Sequence, residues 1–396
     1  TNPQHPELIV AFRWRAVYKY YFYIIRGDTL NMRIAMIGHK RIPGREGGIE
    51  VVVEELSTRM ANLGNEVTVY NRKSKFIEPQ KKYKGVRIIT IPTIEKKSTD
   101  AVVYSFFASI HALFQHYDVI HYHGIGPSFF LLLPHIFGIR TIVTVHGLNY
   151  KTPKWKGFGA KFMRWGELIA AKYADEIIVL SEEQKTYFKT RYNREAIYIP
   201  NGVTLQDIIP PEIIQEKYGL NKDGYILFLS RLVPGKGVEY LIRAYKQIPS
   251  ELPLIIAGDA PFVSDFVGEV KREAKSDYRI RFVGFVEGKE LQELYSNARL
   301  FVFPSEAEGM PMCLLEALSY NIPCLVSDIP ENIEVGGEYV TSFKSMDISD
   351  LKNKLEMILS RQCKNSTDLR EYVKNNYDWD TVVRKTLKVY KAKNSE

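Results

Sequence analysis

The sequence predicts an α/β protein built from two doubly wound parallel sheets. Apolar runs alternate with stretches of helical spacing from Met32 onward, a pattern typical of parallel sheets covered by helices. The pattern stops at the Asn201-Gly202 turn and restarts with a buried run at Tyr225. A length of 396 residues suits two or three domains of ordinary size. We therefore expect two Rossmann-like halves of similar size that face a cleft.

The first half is predicted from short apolar runs, which read as strands, and amphipathic stretches between most of them. The strands are Arg33–Gly38, Glu66–Tyr70, Val86–Ile91, Val119–His123, Thr141–His146, Glu176–Ser181 and Ile197–Pro200. The clearest helices are Ile49–Leu63, Val103–Phe114 and Lys161–Tyr173.

The second half repeats this alternation after a linker with a short helix at residues 207–222. Its strands are Tyr225–Ser230, Leu254–Gly258, Ile280–Val283, Leu300–Pro304 and Pro323–Ser327. Its helices are Gly237–Gln247, Phe266–Ala274, Glu290–Asn297, Met312–Ser319 and Thr381–Lys391.

Residues 1–31 differ from the rest of the chain. The aromatic stretch Leu8–Ile25 contains Arg13, Arg15 and Lys19, too many charges for a spanning helix, and it lacks the order of a signal peptide. An interfacial aromatic-basic helix is one interpretation. The preferred one is an extension ahead of a true start at Met32, because a clean buried strand follows that residue directly.

Charge and cysteine content exclude several classes of protein. The three cysteines, Cys313, Cys324 and Cys363, are too few for a disulfide scaffold and lack zinc-site spacing. The net charge of +8 allows an anionic partner, but it is unevenly distributed. Residues 32–200 carry 25 basic and 15 acidic residues, whereas residues 201–396 carry 25 and 29. The acidic second half argues against a nucleic-acid groove.

The first constellation of interest is GHKRIPGREGGIE, from Gly38 to Glu50. Gly47 and Gly48 open a helix after a strand, where backbone N–H groups favour an anion, and Arg41 and Arg45 flank them. A plain strand-to-helix turn is the alternative. The motif is not GxGxxG, which argues against a nucleotide-linked oxidoreductase.

Two further loops follow strands of the second half. In SRLVPGKG, Arg231 and Lys236 are five positions apart and could bind a diphosphate from two sides. The alternative is an ordinary solvated surface loop without a ligand. In PSEAEGMPMCLLE, Glu308 and Glu316 are separated by eight positions. Gly309-Met310-Pro311 follows Glu308 and places free backbone N–H groups at the start of a helix. Glu316 lies among apolar residues and needs a partner, such as sugar hydroxyls, unless it lies on an exposed face.

Histidines mark the strand ends of the first half. His121 and His123 end one strand on the same face, and His146 ends another, where parallel sheets bind ligands. One of the first two could be structural, and His146 is the better candidate for a site. No histidine or cysteine cluster has metal-ligand spacing, so we predict no metal.

Together these segments resemble the retaining glycosyltransferases of family 4, which have the GT-B fold. The resemblance covers Met32 to about Lys391 and rests on EGMPMCLLEALSYNIPCLVSD, SRLVPGKGVEYLIRAY and IPNGV. The segments MRIAMIGHKRIPGREGGIEVVVEELSTRM and HGLNYKTPKWKGFGAKF resemble the rhamnosyltransferase-like subgroup. Two positions depart from the family: PGKG replaces the common PEKG, and Asn149 replaces the common Asp.

The resemblance implies the following domains and roles. Residues 32–205 form an acceptor-side domain, residues 206–378 a nucleotide-sugar-binding domain, and residues 379–396 a helix that returns to the first domain. Arg231 and Lys236 bind the donor diphosphate, Glu316 binds ribose, and Glu308 holds the sugar with the backbone of Gly309, Met310 and Pro311. His146 contacts the sugar near the reacting carbon. Other donor-side positions are Gly47, Gly48, Asn201, Gly284 and Leu315, and acceptor-side candidates are Arg41, Arg45, His123, Asn149 and Lys154.

The implied reaction transfers a sugar from a nucleotide sugar to an acceptor hydroxyl, without metal or cofactor. A lipid-linked saccharide in cell-surface polysaccharide synthesis (capsule, exopolysaccharide or lipopolysaccharide) is the expected acceptor, met at an anionic membrane surface on its cytoplasmic face. A soluble transferase acting on a small molecule, and a non-catalytic sugar-nucleotide-binding protein, are the alternatives.

Overall fold

The computed structural model describes residues 31–44, 47–94, 99–148, 157–259, 265–360 and 369–392. The chain divides into two compact units, unit 1 with residues 1–200 and 379–396, and unit 2 with residues 201–378. Apart from Asn31, the predicted leader lies outside the described residues.

Unit 1 is built on an eight-stranded sheet of order β3-β4-β2-β1-β5-β6-β7-β8. All neighbouring strands are parallel except β3, which pairs antiparallel with β4. The strands are β1 (Arg33–Ile37), β2 (Glu66–Arg72), β3 (Lys82–Tyr83), β4 (Val86–Ile91), β5 (Val119–His123), β6 (Arg140–Val145), β7 (Glu176–Val179) and β8 (Ile197–Tyr198).

Helices cover both faces of this sheet. They are α1 (Gly48–Asn62), α2 (Asp100–Leu113), α3 (Leu132–Ile136), α4 (Phe158–Tyr173) and α5 (Glu182–Tyr192), with a 3-10 turn at Pro127–Leu131. The two faces have separate cores because successive strand residues point in opposite directions: Ala35 packs in one core and Met36 in the other. The second core is completed by α1 and by a helix that follows unit 2 in the chain.

Unit 2 contains a six-stranded, fully parallel sheet of order β11-β10-β9-β12-β13-β14. Its strands are β9 (Ile226–Leu229), β10 (Leu254–Ala257), β11 (Ile280–Gly284), β12 (Leu300–Phe303), β13 (Cys324–Ser327) and β14 (Thr341–Phe343). Its helices are α6 (Ile213–Tyr218), α7 (Val238–Tyr245), α8 (Asp265–Ala274), α9 (Gly288–Ser296), α10 (Met312–Ser319), α11 (Pro330–Gly336), α12 (Ile348–Ser360) and α13 (Leu369–Asn376), with a 3-10 turn at Gly337–Tyr339.

The predicted return of the chain to unit 1 is confirmed by α14 (Trp379–Lys391). Its Trp379 and Tyr390 are each 2% exposed and lie in the second core of unit 1. Two doubly wound parallel sheets therefore form as the sequence predicts. Within the described parts of the chain, no helix combines the length and apolar character needed to cross a bilayer.

Candidate functional site

Each sheet has one place where its topology opens a space for a ligand. The order of strands reverses between β1 and β5 in unit 1, and between β9 and β12 in unit 2. At such a switch point the loops leave the sheet in opposite directions, and ligands bind beyond the carboxyl ends of the strands. Most of the predicted site residues lie at these two places.

In unit 2, the loops after β9 and β12 touch each other. Gly237 has φ +72°, and a Cβ there would lie 2.0 Å from the carbonyl oxygen of Pro304. The Glu306 N–H also donates to the Gly235 carbonyl at 2.9 Å. Only glycine satisfies both the left-handed conformation and the close approach, so the two loops are held in one arrangement.

This contact brings Lys236 and Glu308 together. The Lys236 Nζ lies 2.5 Å from the Glu308 Oε1, and the Ser305 hydroxyl donates to the same oxygen at 2.6 Å. The side chains of Lys236 and Glu308 are only 15% and 10% exposed, so solvent screens their interaction little. Both partners of this ion pair lie in loops that are recognisable in the sequence, whereas no motif marks Ser305, whose hydroxyl orients the carboxylate.

Arg231, the other predicted cation, is placed differently. Its side chain is exposed at the start of the same loop, and its guanidinium forms no hydrogen bond or ion pair with the described residues. The unit 2 switch point thus combines a fixed, neutralised lysine with a guanidinium that can still take up an anion.

Glu316 lies in the second turn of α10 and is oriented by an aromatic neighbour. The Tyr295 hydroxyl donates to its Oε2 at 3.0 Å, and the Tyr295 ring stacks on Tyr320 with centroids 5.3 Å apart. No sequence motif points to Tyr295, which belongs to α9. Burial raises the pKa of the Cys313 thiol, in the first turn of α10, to about 12, and the Glu316 charge adds to the effect, so this cysteine stays protonated.

The other predicted donor-side residues of unit 2 occupy less direct positions. Met310 accepts a hydrogen bond on Sδ from the Asn201 N–H at 3.0 Å, which links the loop before α10 to the start of the unit. Pro311 occupies the N-cap position of α10, and Gly309 lies two residues before it. Leu315 is fully buried and anchors the helix. Gly284 ends β11, two strands away from the switch point, with φ +76°.

The unit 1 switch point is lined by histidines. His123 Nδ1 and His146 Nε2 share a hydrogen bond at 3.1 Å, and the His121 ring lies 4.1 Å from that of His123. His121 is held between the Thr144 hydroxyl at 2.7 Å and the Tyr390 hydroxyl of α14 at 2.6 Å. His123 is 1% exposed, so it reaches a ligand only through the partly exposed His146.

Burial keeps these histidines uncharged. It lowers the pKa of His121 to about 3 and of His146 to about 4, and it lowers that of His123 well below its usual value. His39, at the end of β1, is also buried and has its pKa lowered to about 3. A neutral imidazole can donate and accept hydrogen bonds, so this edge suits hydroxyl groups better than it suits anions.

The loop between β1 and α1 is held in place by Asn71, which no sequence motif marks. The Asn71 side chain both accepts from the Ile42 N–H at 3.0 Å and donates to the Ile42 carbonyl at 2.9 Å. At the helix start, the buried Glu50 carboxylate accepts from the Lys40 N–H at 3.0 Å and would contact any Cβ on Gly47. The N-terminus of α1 therefore already faces a carboxylate, which weakens the expected attraction for an anion at Gly47 and Gly48.

Three of the predicted acceptor-side residues, Arg45, Asn149 and Lys154, lie outside the described residues. Arg41 is described and is half-buried in the loop before α1. No group of three or more histidine, cysteine, aspartate and glutamate side chains suited to hold a metal ion occurs in the described ranges. The predicted metal independence stays a prediction.

Solved glycosyltransferases of the GT-B class share this fold. Sucrose-phosphate synthase from Thermosynechococcus elongatus superposes with a TM-score of 0.78 at 22% identity, covering 91% of this chain and 98% of that one. The Anabaena protein HepE in complex with UDP-glucose superposes with a TM-score of 0.74 at 18% identity, covering 91% of this chain and 100% of that one.

The family is given by the sequence matches. Residues 46–207 match the family described as Glycosyltransferase Family 4, and residues 211–376 match Glycosyl transferases group 1. The chain therefore belongs to the retaining glycosyltransferases of family 4, which use nucleotide sugars.

Two curated relatives illustrate the range of this family. The GPI3 subunit of phosphatidylinositol N-acetylglucosaminyltransferase from Saccharomyces cerevisiae is 23% identical over 367 residues, covering 87% of this chain and 79% of that protein. An Escherichia coli UDP-Gal:alpha-D-GlcNAc-diphosphoundecaprenol alpha-1,3-galactosyltransferase is 26% identical over 309 residues, covering 71% of this chain and 79% of that protein.

Proposed function

We propose that this enzyme transfers a hexose or rhamnose to a hydroxyl of a lipid-linked saccharide, in the assembly of a cell-surface polysaccharide. The Lys236–Glu308 pair at the unit 2 switch point carries the proposal, because it places a cation and a hydroxyl-binding carboxylate side by side. Rhamnose is included because Met32–Met60 resembles rhamnosyltransferase-like sequences.

The donor is bound by unit 2. Lys236 and Arg231 contact the diphosphate, and as the bond to the sugar breaks they stabilise the charge that grows on the leaving oxygen. The carboxylate of Glu316, oriented by Tyr295, accepts hydrogen bonds from the ribose hydroxyls. Glu308 and the backbone of Gly309, Met310 and Pro311 hold the sugar, while Asn201, Gly284 and Leu315 shape the surrounding loops.

The contacts of Glu308 favour a route without a covalent sugar–enzyme intermediate. A carboxylate nucleophile must be free to attack the anomeric carbon, but one oxygen of Glu308 is engaged by both Lys236 and Ser305. We propose that the acceptor oxygen attacks from the face that the diphosphate leaves. The anomeric C–O bond to diphosphate breaks, the bond to the acceptor oxygen forms, and the acceptor proton passes to the departing diphosphate.

Unit 1 is proposed to bind the acceptor. Neutral His146 hydrogen-bonds a sugar hydroxyl near the reacting carbon, while the buried His123 positions it. Arg41, with Arg45, Asn149 and Lys154, supplies the polar and basic contacts to the rest of the acceptor, whereas Gly47 and Gly48 at the start of α1 are assigned to the donor. The Escherichia coli relative named above acts on a diphosphoundecaprenol-linked sugar, which supports a lipid-linked acceptor met at the cytoplasmic membrane surface.

A nucleotide-release assay over UDP-, GDP- and dTDP-linked sugars, with and without a membrane extract as acceptor source, tests the proposal. We expect release with one donor class, strongly stimulated by membranes, and a loss of about a thousandfold in Lys236→Ala. Lys246→Ala is the matched control, because the Nζ of this exposed lysine in unit 2 donates to the Glu273 carbonyl at 3.1 Å rather than to a predicted site residue.

Two results would contradict the proposal. Full turnover in Lys236→Ala would remove the assigned role of the ion pair. Transfer to a small water-soluble acceptor with indifference to membranes would instead favour the soluble transferase.

A further inference from the structure

A series of buried polar side chains leads from the end of β13 to the Glu308 carboxylate. Its members, Asn332, Ser327 and Ser305, are each 0% exposed. Ser327 ends β13, Asn332 lies in the helix α11 that follows it, and Ser305 lies in the loop after β12. Burying polar groups costs free energy unless hydrogen bonds replace their contacts with water, so we expect these side chains to make bonds on which the fold or the site depends.

The first link sets the direction of the Ser327 hydroxyl. The Asn332 Nδ2 donates to the Ser327 carbonyl at 3.2 Å and to the Ser327 hydroxyl oxygen at 2.9 Å. The bond to the carbonyl closes the turn between β13 and α11, but the bond to the hydroxyl adds nothing to that turn. Because the hydroxyl oxygen accepts from Asn332, its own hydrogen is left to bond elsewhere. It donates to the Ser305 carbonyl at 2.5 Å.

The peptide group between Ser305 and Glu306 is therefore held by both of its polar atoms. Its carbonyl accepts from Ser327, and its N–H donates to the Gly235 carbonyl at 2.9 Å. Gly235 lies in the loop after β9, and β9 and β13 are the two neighbours of β12 in the sheet. One peptide group of the Glu308 loop is thus tied to the strand ends on both sides of it.

The position of this peptide group decides which acceptor the Ser305 hydroxyl uses. Two acceptors lie within reach, the Glu308 Oε1 at 2.6 Å and the Gly235 carbonyl at 3.3 Å. One hydroxyl hydrogen serves only one of them well. A small shift of the Ser305 backbone can move the bond from the carboxylate to the carbonyl, and the bond from Ser327 opposes that shift.

We propose that Asn332 and Ser327 are positioning residues of the donor site, which act through Ser305 to fix the Glu308 carboxylate. Because both are fully buried, they act without reaching a substrate. The Asn332 Oδ1 has no hydrogen-bond partner among the described residues, a cost that an apolar side chain of similar size would avoid, so stability alone does not account for the amide. The proposal rests on the proposed role of Glu308 in holding the transferred sugar.

Acetylation of the full chain with acetic anhydride, in the absence of donor and acceptor, tests this positioning without turnover. The Lys236 ammonium is shielded from the reagent while Glu308 pairs with it, so Lys236 should react slowly in the wild type. Loss of the Ser327 hydroxyl loosens the carboxylate, and Ser327→Ala should acetylate Lys236 about fivefold faster, as measured by mass spectrometry. The exposed Lys246 is the internal reference and should react equally in both proteins.

Ser296→Ala is the matched control for the loss of a buried serine hydroxyl. Ser296 lies in α9 of unit 2, and its hydroxyl oxygen accepts from the Ile209 N–H at 3.1 Å, away from the Glu308 loop. This variant should acetylate Lys236 at the wild-type rate and keep the wild-type kcat, even where it lowers the thermal midpoint as much as Ser327→Ala does.

A double-mutant cycle in the nucleotide-release assay tests whether the two serines act in series. Ser327→Ala and Ser305→Ala should each lower kcat about tenfold, whereas the donor KM changes less than about threefold, because the diphosphate and ribose contacts stay in place. The double variant should lose no more than the weaker of the two single variants, since removing either hydroxyl already breaks the series.

Two results would overturn the positioning role: losses of kcat that multiply to about a hundredfold in the double variant, or unchanged acetylation of Lys236 in Ser327→Ala. Asn332→Leu should behave like Ser327→Ala, and the milder serine variant decides the matter if Asn332→Leu does not fold. If Lys236→Ala abolishes nucleotide release while both serine variants match wild type, the positioning role alone is wrong. If every donor is inert while acetylation changes as expected, the proposed function is wrong and the positioning of Glu308 stands.

Discussion

Unit 1 and unit 2 each join neighbouring strand ends at a switch point, but they place different chemistry there. In unit 1 the ends of β5 and β6 carry histidines in ring contact with one another, and burial keeps these histidines neutral. In unit 2 the loops after β9 and β12 join an ammonium to a carboxylate. Equivalent topology thus offers hydrogen bonds at one switch point and charge at the other, as the proposed hydroxyl acceptor and diphosphate donor require.

The largest expected effect is a difference in acid stability. Burial lowers the pKa values of His39, His121 and His146 to about 3, 3 and 4, so below pH 6.5 the unfolded chain binds protons that the native chain does not. Stability is then complete above pH 6.5 and falls as the pH drops toward 4. At about pH 5 each of these histidines lowers the free energy of unfolding by about 2 kcal/mol.

Urea titrations at neutral pH and at about pH 5 measure this effect. All four tryptophans lie in residues 1–200 or 379–396, so their fluorescence reports unit 1, which is also the unit that contains all the histidines. Equal urea midpoints of the tryptophan fluorescence at the two pH values would show that protonation of the histidines does not destabilise unit 1.

Glu308→Gln addresses the charged switch point. The amide keeps the shape of the side chain but leaves Lys236 without its counter-ion, and we expect kcat/KM to fall about a hundredfold. Glu306→Gln is the control, because that side chain lies in the same loop and bonds to Tyr240 instead. Wild-type activity in Glu308→Gln, or a glycosylated Glu308 seen by mass spectrometry, would contradict the proposed route.

His146→Ala addresses the neutral switch point. The variant loses one neutral hydrogen bond to the sugar, so we expect about a tenfold fall in kcat/KM. Because burial lowers the pKa of His146 to about 4, wild-type activity should show no inflection from this residue between neutral pH and about pH 5. An inflection near pH 6.5 that disappears in the variant would show that the ring titrates normally.

Tyr390→Phe should have the smallest effect. Removing the hydroxyl 2.6 Å from His121 Nδ1 costs about 1 kcal/mol of stability and leaves the His121 tautomer less well defined. Nitrogen chemical shifts of the histidine rings measure the tautomer, and Tyr173→Phe, at the end of α4, is the control. Unchanged nitrogen shifts for His121 in Tyr390→Phe would show that the Tyr390 hydroxyl of α14 does not position the His121 ring.

The sequence predicted what local pattern encodes. Buried strands show as apolar runs, so the main sheet of each unit is predicted, whereas the short strands β3 and β14 and the helices α3, α5 and α11–α13 are not. Helix α5 has almost no amphipathic pattern, but α12 and α13 have apolar residues at helical spacing that the prediction leaves unassigned. Lys236 and Glu308 can be predicted as site residues because a glycine-containing loop that follows a strand is recognisable from the sequence alone.

Contacts between distant segments could not be read in this way. His121 and Tyr390 lie 269 positions apart, and Tyr295 orients Glu316 from a neighbouring helix. In the sequence Glu50 only ends a glycine-containing motif, whereas in the structure its burial against the start of α1 changes the electrostatics there. Such contacts depend on how helices pack, which a single sequence does not specify.

The return of α14 to unit 1 has a consequence for biosynthesis. Trp379 and Tyr390 complete the core over α1, yet the ribosome must first translate all of unit 2. The two chain crossings lie side by side, since the Val203 N–H donates to the Tyr377 carbonyl at 2.9 Å. Unit 2 is therefore a long insertion that can finish folding while the apolar face of unit 1 is still uncovered. This reverses the usual order, in which the N-terminal domain folds first during synthesis.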